Sequence, residues 1–473
     1  MTDIIMEVGY MKKTSITLLI IVILISGGCS SLDTPQNQGQ ELPTQGVIET
    51  PIQPSDTSAA SPESTTTPPL PPLPERENPW ADTVWAGRTR EGFLQDFDYL
   101  MWILEENYPF FGTFLRTSGT DLRERAVLTR AIIANESLQI DSDIFYEIMQ
   151  TNFFASGEIG GGHFFLWSKT WYHRRAHQNN IFALSEGELR INPSFAAFHE
   201  ALTNPATVEF YGEEPPMPIN ELIALLSGGE DIVQTEILVD GKIAYAKIAD
   251  MRASEMFALV DFYDDIHNYE HLIIDIRGNP GGNDTFVSHV LAPYITEELT
   301  IPIYGFIKAG ELNVLYGRDH ISRRIDVGIA DDMPYFNEED KHQFDAAFKV
   351  DIVITPRPLY RADHQPVPRF TGKMWLLTDG GNFSVSDMAA YYSKQSGAIT
   401  IVGEQSGGAS SHISSAITSY LPNSGIVFMY EYVYTTDPEG RSLEEFRTTP
   451  HYFNRPGMDA LETALALIEE GEY

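Results

Sequence analysis

The sequence predicts an α/β protein in which a helical region precedes a core of alternating strands and helices. Apolar residues recur every three or four positions over residues 89–150, which is helical spacing. Two later stretches, 271–294 and 373–403, each have the pattern of a buried strand, a glycine-rich turn and a helix. We therefore expect an α/β core in which two glycine-rich strand-to-helix turns lie at one site.

The composition is that of a globular protein with an acidic surface. The 473 residues are 42% apolar and 11% aromatic, which allows two or three domains and a large core. The formal net charge is -36, and so acidic a surface repels nucleic acid and anionic membranes. Neither is expected as a partner, and solubility alone explains the charge.

The amino end has the pattern of a secretion signal. A positively charged start at residues 11–13 precedes an apolar run over 16–25, which is too short for a comfortable membrane span. The run ends in small residues before Cys29 and resembles the cleavage box of bacterial lipoproteins, although Ser26 stands where that box usually has leucine. The resemblance implies a signal peptide over 1–28, lipidation of Cys29, and a location at the extracellular face of the bacterial cell membrane.

The alternative is an uncleaved signal anchor, and Met11 is a second candidate start of the chain. Cys29 is the only cysteine, so neither an intrachain disulfide nor a catalytic cysteine is expected in the folded part. Residues 29–86 are dominated by Ser, Thr, Pro and Gln over most of their length. Such a segment cannot bury enough apolar surface to offset its ordering entropy, so we expect a disordered linker.

The remaining chain is expected to form three regions. The first is a helical domain that ends in a glycine-rich turn around His163, the second an accessory region with short helices, and the third an α/β core. The accessory region shows no peptide-binding PDZ pattern, and the core contains a loop-rich acidic stretch that we interpret as an insertion. The boundaries are 87–168 for the helical domain, 169–240 for the accessory region, 241–473 for the core and 308–350 for the insertion.

A candidate nucleophile lies at the start of the helix in the stretch 373–403. The turn after the apolar strand leads to Ser384-Val385-Ser386-Asp387, where backbone N–H groups without helical partners collect partial positive charge. A serine nucleophile is often mounted in this way. The alternative is that Ser384 or Ser386 is only a helix N-cap, which is the commoner role of a lone serine there.

The stretch 271–294 supplies the second turn. Its strand leads into the sequence DIRGNPGG over residues 275–282. Two adjacent glycines let the backbone approach a ligand closely and aim N–H donors at it. This turn therefore predicts a site for a developing negative charge.

Together, the two turns resemble those of the serine peptidase family of C-terminal processing proteases and tricorn protease, which carry D-x-R-x-N-x-G-G before S-x-S-[ED]. The resemblance implies a crotonase-like or ClpP-like core of stacked ββα units. It rests on Asp275, Arg277, Asn279, Gly281 and Gly282 in the first turn and on Ser384, Ser386 and Asp387 in the second.

The resemblance also implies roles for these residues. Ser384 is the expected nucleophile, and the N–H of Val385, with that of Gly281 or Gly282, is expected to bind the oxyanion. Structural support for the turn is expected from Asp275, Arg277 and Asn279.

The general base is expected to be a histidine. The processing branch of the family places a lysine where this chain has Ala409, and Lys394 lies in the helix that leads away from the site. The tricorn branch uses a histidine in a G-E-L-G-x-x-H segment, and Glu158, Gly160 and His163 fall on its counterpart. An unperturbed histidine pKa of about 6.5 suits a general base.

Three points of this assignment stay open. Gly162 stands where the tricorn branch has a serine that orients the histidine. Glu444 matches the glutamate that would stabilise the imidazolium, but Glu445 and Glu439 compete for that role. His412 is a rival base, because a loop shift could bring it to the nucleophile.

The sequence therefore predicts a secreted, membrane-tethered serine peptidase that acts on protein or peptide substrates. No metal or cofactor is expected, because the 12 histidines show no metal-binding spacing near the two turns. The alternative is a catalytically silent relative that binds peptides or cell-wall material at the surface. Neither the substrate preference nor the oligomeric state is indicated.

Overall fold

The computed structural model describes most of the chain from residue 70 onward. The signal peptide, Cys29, most of the predicted linker, Glu158 and Ala409 lie outside the described residues. So does the segment 219–226, one of the two places in the accessory region where the sequence predicts a short helix. The described residues are 70, 72–154, 160–181, 193–213, 232–251, 256–291, 294–361, 363–408 and 411–471.

The elements follow the predicted order, with helices first and alternating strands and helices after them. The helices are α1 (Arg90–Asn107), α2 (Phe111–Ser118), α3 (Leu122–Ala134), α4 (Ser142–Asn152), α5 (Lys169–Ile181), α6 (Pro193–Thr203), α7 (Pro205–Tyr211), α8 (Met256–Ile266), α9 (Thr285–Leu291), α10 (Glu311–Tyr316), α11 (Arg318–Ser322), α12 (Val385–Ser396), α13 (Leu443–Phe446) and α14 (Ala460–Glu470). The strands are β1 (Phe165–Leu166), β2 (Val233–Val239), β3 (Ile243–Ile248), β4 (His271–Asp275), β5 (Leu299–Ile307), β6 (Ala346–Ile354), β7 (Lys373–Thr378), β8 (Ile399–Gly403), β9 (Ile417–Tyr420), β10 (Val427–Tyr430), β11 (Tyr434–Thr436) and β12 (Tyr452–Phe453).

A six-stranded sheet forms the centre of the fold, in the order β12-β8-β7-β4-β3-β2. β3, β4, β7, β8 and β12 run parallel, and β2 is an antiparallel edge strand. The carboxyl ends of β4 and β7 therefore meet at the same edge of the sheet, because parallel neighbours end together. The two turns that the sequence singled out follow these ends.

Both faces of the central sheet are covered, which explains why its inner strands β4 and β7 are apolar and buried along most of their length. On one face, Ala464 and Leu467 of α14 pack in one cluster with Trp375 of β7. On the other face, Leu376 belongs to the main core, which also contains Ala389 of α12. The predicted mixed α/β fold with a helical N-terminal region is confirmed.

Two three-stranded sheets flank the centre, in the orders β11-β5-β6 and β1-β10-β9. β6 pairs with β5 over nine residue pairs, from Leu299 with Ile354 to Ile307 with Ala346. The interpretation of 308–350 as a loop-rich insertion is therefore wrong at its carboxyl end, where the chain forms a regular strand. The strand at residues 346–354 forms because it pairs with β5, and such pairing between distant parts of the chain cannot be recognised from local composition.

The predicted linker ends earlier than residue 86. The guanidinium of Arg76 donates hydrogen bonds to Glu106 at 2.8 Å and to Asp345 at 2.6 Å. The rings of Trp80 and Trp85 pack edge-on against Tyr99 of α1, with centroids 5.7 and 5.4 Å away. These contacts attach residues 76–86 to the folded part. Unlike most of the segment before it, this stretch contains aromatic and basic side chains that can make such contacts.

Candidate active site

The nucleophile turn connects β7 to α12. Ser384 precedes the helix and has a φ of 57° and a ψ of -123°. A positive φ in a residue other than glycine costs on the order of 1 to 3 kcal/mol and persists only where the surroundings enforce it. Ser384 N donates to Gly408 O at 2.9 Å, which is one of the contacts that hold the turn.

The N-cap alternative for the two serines does not describe the turn. Ser384 is at the N-cap position, but its side chain accepts no hydrogen bond from the helix. The buried Ser386 hydroxyl donates instead to Asn279 O at 2.7 Å, and Phe383 N donates to the same carbonyl at 3.1 Å. One carbonyl of the glycine turn therefore holds two residues of the nucleophile turn.

Asp275, Arg277 and Asn279 form the framework of the glycine turn. The Asp275 carboxylate accepts hydrogen bonds from Arg277 N, Nε and Nη2 at 2.7 to 3.1 Å. Asn279 Nδ2 donates to Ile248 O at 2.8 Å, which joins the turn to β3. These contacts lie within the protein, as expected of residues that support the turn.

His163 lies between a hydroxyl and a carboxylate. Its Nε2 is 3.1 Å from Ser384 Oγ, and its Nδ1 is 3.1 Å from Glu431 Oε2. Because an ionised carboxylate can only accept, Nδ1 carries the proton and Nε2 is free to accept from the serine hydroxyl. The imidazole is 21% exposed, so the base remains accessible.

The pairing of β1 with β10 explains the contact between His163 and Glu431. The antiparallel register places Phe165 opposite Met429 and Leu166 opposite Phe428. Continued by two residues, the same register places His163 opposite Glu431. Side chains at such a pair lie on the same face and within contact distance.

Glu431 is the functional residue that sequence analysis missed. It is 2% exposed, and its second oxygen accepts a hydrogen bond from Ser414 Oγ at 3.2 Å. A signal was present, because this glutamate interrupts the apolar run of residues 426–434. Carboxylates are rarely buried without a partner, so an acidic residue in such a run indicates a buried contact.

Gly162 explains why the orienting serine of the tricorn branch is absent. Its φ is 63°, and a Cβ at this position would lie 2.7 Å from Glu431 Cβ. Any larger residue would therefore displace the glutamate. The orienting group in doubt at the sequence level is supplied by Glu431, for which the glycine leaves room.

Glu444 lies beside the turn that carries His163, which we call the base turn. Its Oε1 accepts a hydrogen bond from Gly162 N at 3.1 Å. The competing Glu445 instead pairs with Arg116 at 2.7 Å. The carboxylate in direct contact with the imidazole is that of Glu431, because β10 rather than α13 lies beside the ring. Support of the imidazolium by Glu444 through a water or hydroxyl stays a prediction.

Tyr108 also holds the base turn. Its hydroxyl donates to Gly161 O at 2.8 Å. Burial, with the nearby carboxylates of Glu444 and Glu431, raises the pKa of Tyr108 well above its ordinary value. The phenol therefore stays protonated and remains a donor.

The N–H groups expected to bind the oxyanion differ in whether they already donate a hydrogen bond within the protein. Gly281 N donates to Asn279 Oδ1 at 2.8 Å, so this N–H is not available to a substrate. Within the part of the chain that the structure describes, the N–H groups of Gly282 and Val385 donate no hydrogen bond. Gly281 has a different use, because a Cβ there would lie 2.9 Å from Ser384 Cβ. The choice left open between the two glycines thus falls on Gly282.

The rival base His412 lies beside the nucleophile turn but makes no hydrogen bond to Ser384. Its side chain is fully buried, and its Nε2 is 3.8 Å from Asp387 Oδ2. Among the described residues, neither ring nitrogen has a hydrogen-bond partner. Lys394 is also turned away, since its Nζ donates to Thr449 O at 2.7 Å.

Two further features are absent from the described residues. No cluster of three or more His, Cys, Asp or Glu side chains there could hold a metal ion. No helix among them is both long enough and apolar enough to cross a membrane.

Comparison with known proteins gives the family that the chain matches. Residues 242–453 match the sequence profile of peptidase family S41. This match supports the family resemblance expected from the two turns. Ser384 and Glu431 lie inside the matched region, whereas His163 lies before it.

Several solved structures resemble the chain. A candidate peptidase from Parabacteroides merdae ATCC 43184 is 16% identical, with 79% of this chain and 96% of that chain covered and a TM-score of 0.47. Mature CPAF complexed with lactacystin is 14% identical, with 77% and 94% covered and a TM-score of 0.45. The photosystem II D1 C-terminal processing protease is 13% identical, with 48% and 49% covered and a TM-score of 0.30. The comparison with curated proteins gave no match.

Proposed function

We propose that the protein is a serine peptidase that hydrolyses peptide bonds through an acyl-enzyme. The observation that carries this proposal is the continuous series of contacts from Ser384 Oγ through His163 to Glu431, both at 3.1 Å. In it a hydroxyl, an imidazole and a carboxylate have the relative positions that nucleophilic catalysis requires.

The mechanism follows from these positions. His163 Nε2 takes the proton of Ser384 as the oxygen attacks the peptide carbonyl, and the imidazolium then gives that proton to the leaving amine. Glu431 fixes the tautomer and stabilises the imidazolium through Nδ1–H. Water activated by the same histidine then attacks the ester and releases the second product.

The oxyanion that forms in both steps is bound by the N–H groups of Gly282 and Val385. These donors are fixed by the turns and need no reorganisation. Val385 N is also the first amide of α12, where the helix dipole favours negative charge. Losing one such donor typically costs about 2.7 to 4 kcal/mol of barrier.

A fluorophosphonate probe tests the proposal directly. We expect stoichiometric labelling of the purified protein and, after digestion, a modified peptide that contains Ser384. Ser384→Ala should abolish the labelling, whereas Ser414→Ala, at the serine that contacts Glu431, should retain it. A folded protein that stays unlabelled would favour the silent peptide- or cell-wall-binding relative.

The proposed peptidase is tethered to the extracellular face of the membrane through Cys29. The support is the apolar run followed by small residues before this cysteine. A lipoprotein anchor with several acyl chains holds a protein firmly, whereas one chain does not. Cys29→Ala should move the protein to the soluble fraction or stall its processing. Unchanged fractionation together with an unchanged mass would contradict lipidation.

A further inference from the structure

A cavity of about 430 Å³ lies beside the strand that follows His163. Its volume falls within the range of about 300 to 1,000 Å³ that is usual for ligand pockets. It lies between α4, β1 and the start of α5, and it is lined by Tyr146, Gln150, Phe165, Leu166, Ser168 and Trp171.

The cavity is close to the general base. Phe165 is two residues after His163, and a strand advances about 3.3 Å per residue. The Cα of Phe165, in the wall of the cavity, therefore lies within about 7 Å of the Cα of His163. An extended peptide bound at Ser384 would reach it with a residue two or three positions from the cleaved bond.

The cavity opens along an unpaired strand edge. β1 pairs with β10 on one side, and no described strand pairs with its other side. Trp167 N donates to Val427 O at 2.9 Å, so in this antiparallel ladder the N–H and C=O of Leu166 point away from β10. Consecutive strand side chains point to opposite faces, yet Phe165 and Leu166 both line the cavity, as expected at an edge.

The lining suits a peptide with a large apolar side chain. Tyr146, Phe165 and Trp171 contribute aromatic surface, and no Asp, Glu, Lys or Arg lines the cavity. Among the described residues, Gln150 Oε1 and Trp171 Nε1 are buried without hydrogen-bond partners. Both atoms are shielded from solvent, so the aromatic rings rather than these polar groups supply the binding surface.

We propose that this cavity, together with the free edge of β1, is a substrate subsite that binds a large apolar residue of an extended peptide. The inference rests on the proposed peptidase function for its biological meaning, because it assigns the residue to a substrate. The binding itself does not depend on turnover, so the two can be tested separately.

Binding is measured on Ser384→Ala protein by fluorescence anisotropy. The probes are labelled ten-residue peptides of alanine and serine, with or without a single phenylalanine. We expect the phenylalanine peptide to bind about tenfold more tightly, since filling an apolar pocket typically discriminates by about 10- to 200-fold. Gln150→Trp, which fills the cavity, should remove this preference. Glu147→Trp, on the exposed side of the same helix, should retain it.

A second variant preserves the wall of the cavity. Trp171→Phe keeps an aromatic ring in the wall, so the preference for the phenylalanine peptide should survive in it. Equal binding of the two peptides, or a phenylalanine preference that survives in Gln150→Trp, would overturn the subsite.

Cleavage by protein with Ser384 intact distinguishes this inference from the proposed function. Product masses should place the cleaved bond two or three residues from phenylalanine, and Gln150→Trp should remove that fixed distance. A phenylalanine preference in binding without cleavage of any peptide would support the subsite and reject the peptidase. Cleavage at positions unrelated to phenylalanine would reject the subsite and keep the peptidase.

Discussion

His163 and His412 lie near the same nucleophile turn but have opposite surroundings. Both ring nitrogens of His163 are 3.1 Å from a polar partner, and the imidazole is partly exposed. His412 is fully buried between Tyr391 and Tyr392 and is 3.8 Å from the nearest carboxylate oxygen. His412 is much nearer to Ser384 in sequence. The difference teaches that hydrogen-bond partners and access, rather than sequence separation, identify the base.

The largest expected effect is on kcat/KM, which should fall when His163 is replaced but not when His412 is replaced. His163→Ala should lower kcat/KM by roughly 10⁴-fold or more, to the residual rate of Ser384→Ala and of the double variant, because the two groups act as a unit. His412→Phe should stay within about threefold of the parent, since it touches neither the hydroxyl nor Glu431. Hydrolysis of a fluorogenic peptide, with circular dichroism as the folding control, measures both. Loss of activity in His412→Phe alone would reverse the assignment.

The next effect tests the partner of the base. Glu431→Gln should lower kcat by about 10² to 10⁴-fold with little change in KM, because an amide can donate to Nδ1 and so favour the wrong tautomer. Glu444→Gln should cost much less, since the glutamine carbonyl can still accept the hydrogen bond from Gly162 N. Steady-state kinetics on the two variants gives the comparison. Equal losses would mean that the carboxylate at 3.1 Å from the ring has no special role.

A smaller effect, on the free energy of unfolding, is expected at Gly162, which leaves room for the Glu431 side chain. Gly162→Ser should destabilise the protein by about 2 to 5 kcal/mol, because its Cβ meets Glu431 and its φ is also positive. Gly119→Ser is the matched control, with a φ of 74° and no heavy atom within 4 Å of its Cβ. It should cost only the left-handed strain of about 1 to 2 kcal/mol. Urea denaturation reports the stabilities, and a kcat loss confined to Gly162→Ser would confirm the displaced glutamate.

The smallest expected effect concerns the stability of the His412 site. His412→Phe removes two buried ring nitrogens that have no partner in the described structure, which favours the variant. It also puts a bulky side chain at a φ of 61°, which opposes it. We expect these two effects to cancel, so that the free energy of unfolding measured by urea denaturation changes by less than about 1 kcal/mol. A loss above about 3 kcal/mol would mean that the His412 imidazole makes a stabilising buried contact in the folded protein.

The same contrast explains what the sequence could and could not predict. The nucleophile turn was predictable because its strand, turn and helix are adjacent in the chain, so Ser384 and Val385 lie in a local pattern. The strands β4 and β7 were predictable for the same reason. His163 was reached only through its resemblance to a family segment.

The partner of His163 could not be predicted, because 268 residues separate it from Glu431. The contact follows from the register of β1 against β10, and a two-residue strand carries almost no sequence signal. The hydrogen bond of Gly281 N to Asn279 Oδ1 likewise depends on turn geometry. Residues 76–86 were assigned to the linker because their partners, Glu106 and Asp345, lie far along the chain.

The short pairing of β1 with β10 makes the catalytic arrangement vulnerable at a distance from Ser384. The only ladder between the base turn and its carboxylate-bearing strand consists, among the described residues, of Phe165 with Met429 and Leu166 with Phe428. A peptide that competes for the edge of β10 by strand exchange would carry His163 away from both of its partners. Such an inhibitor would leave Ser384 chemically unmodified. It would act by separating His163 from Ser384 and Glu431.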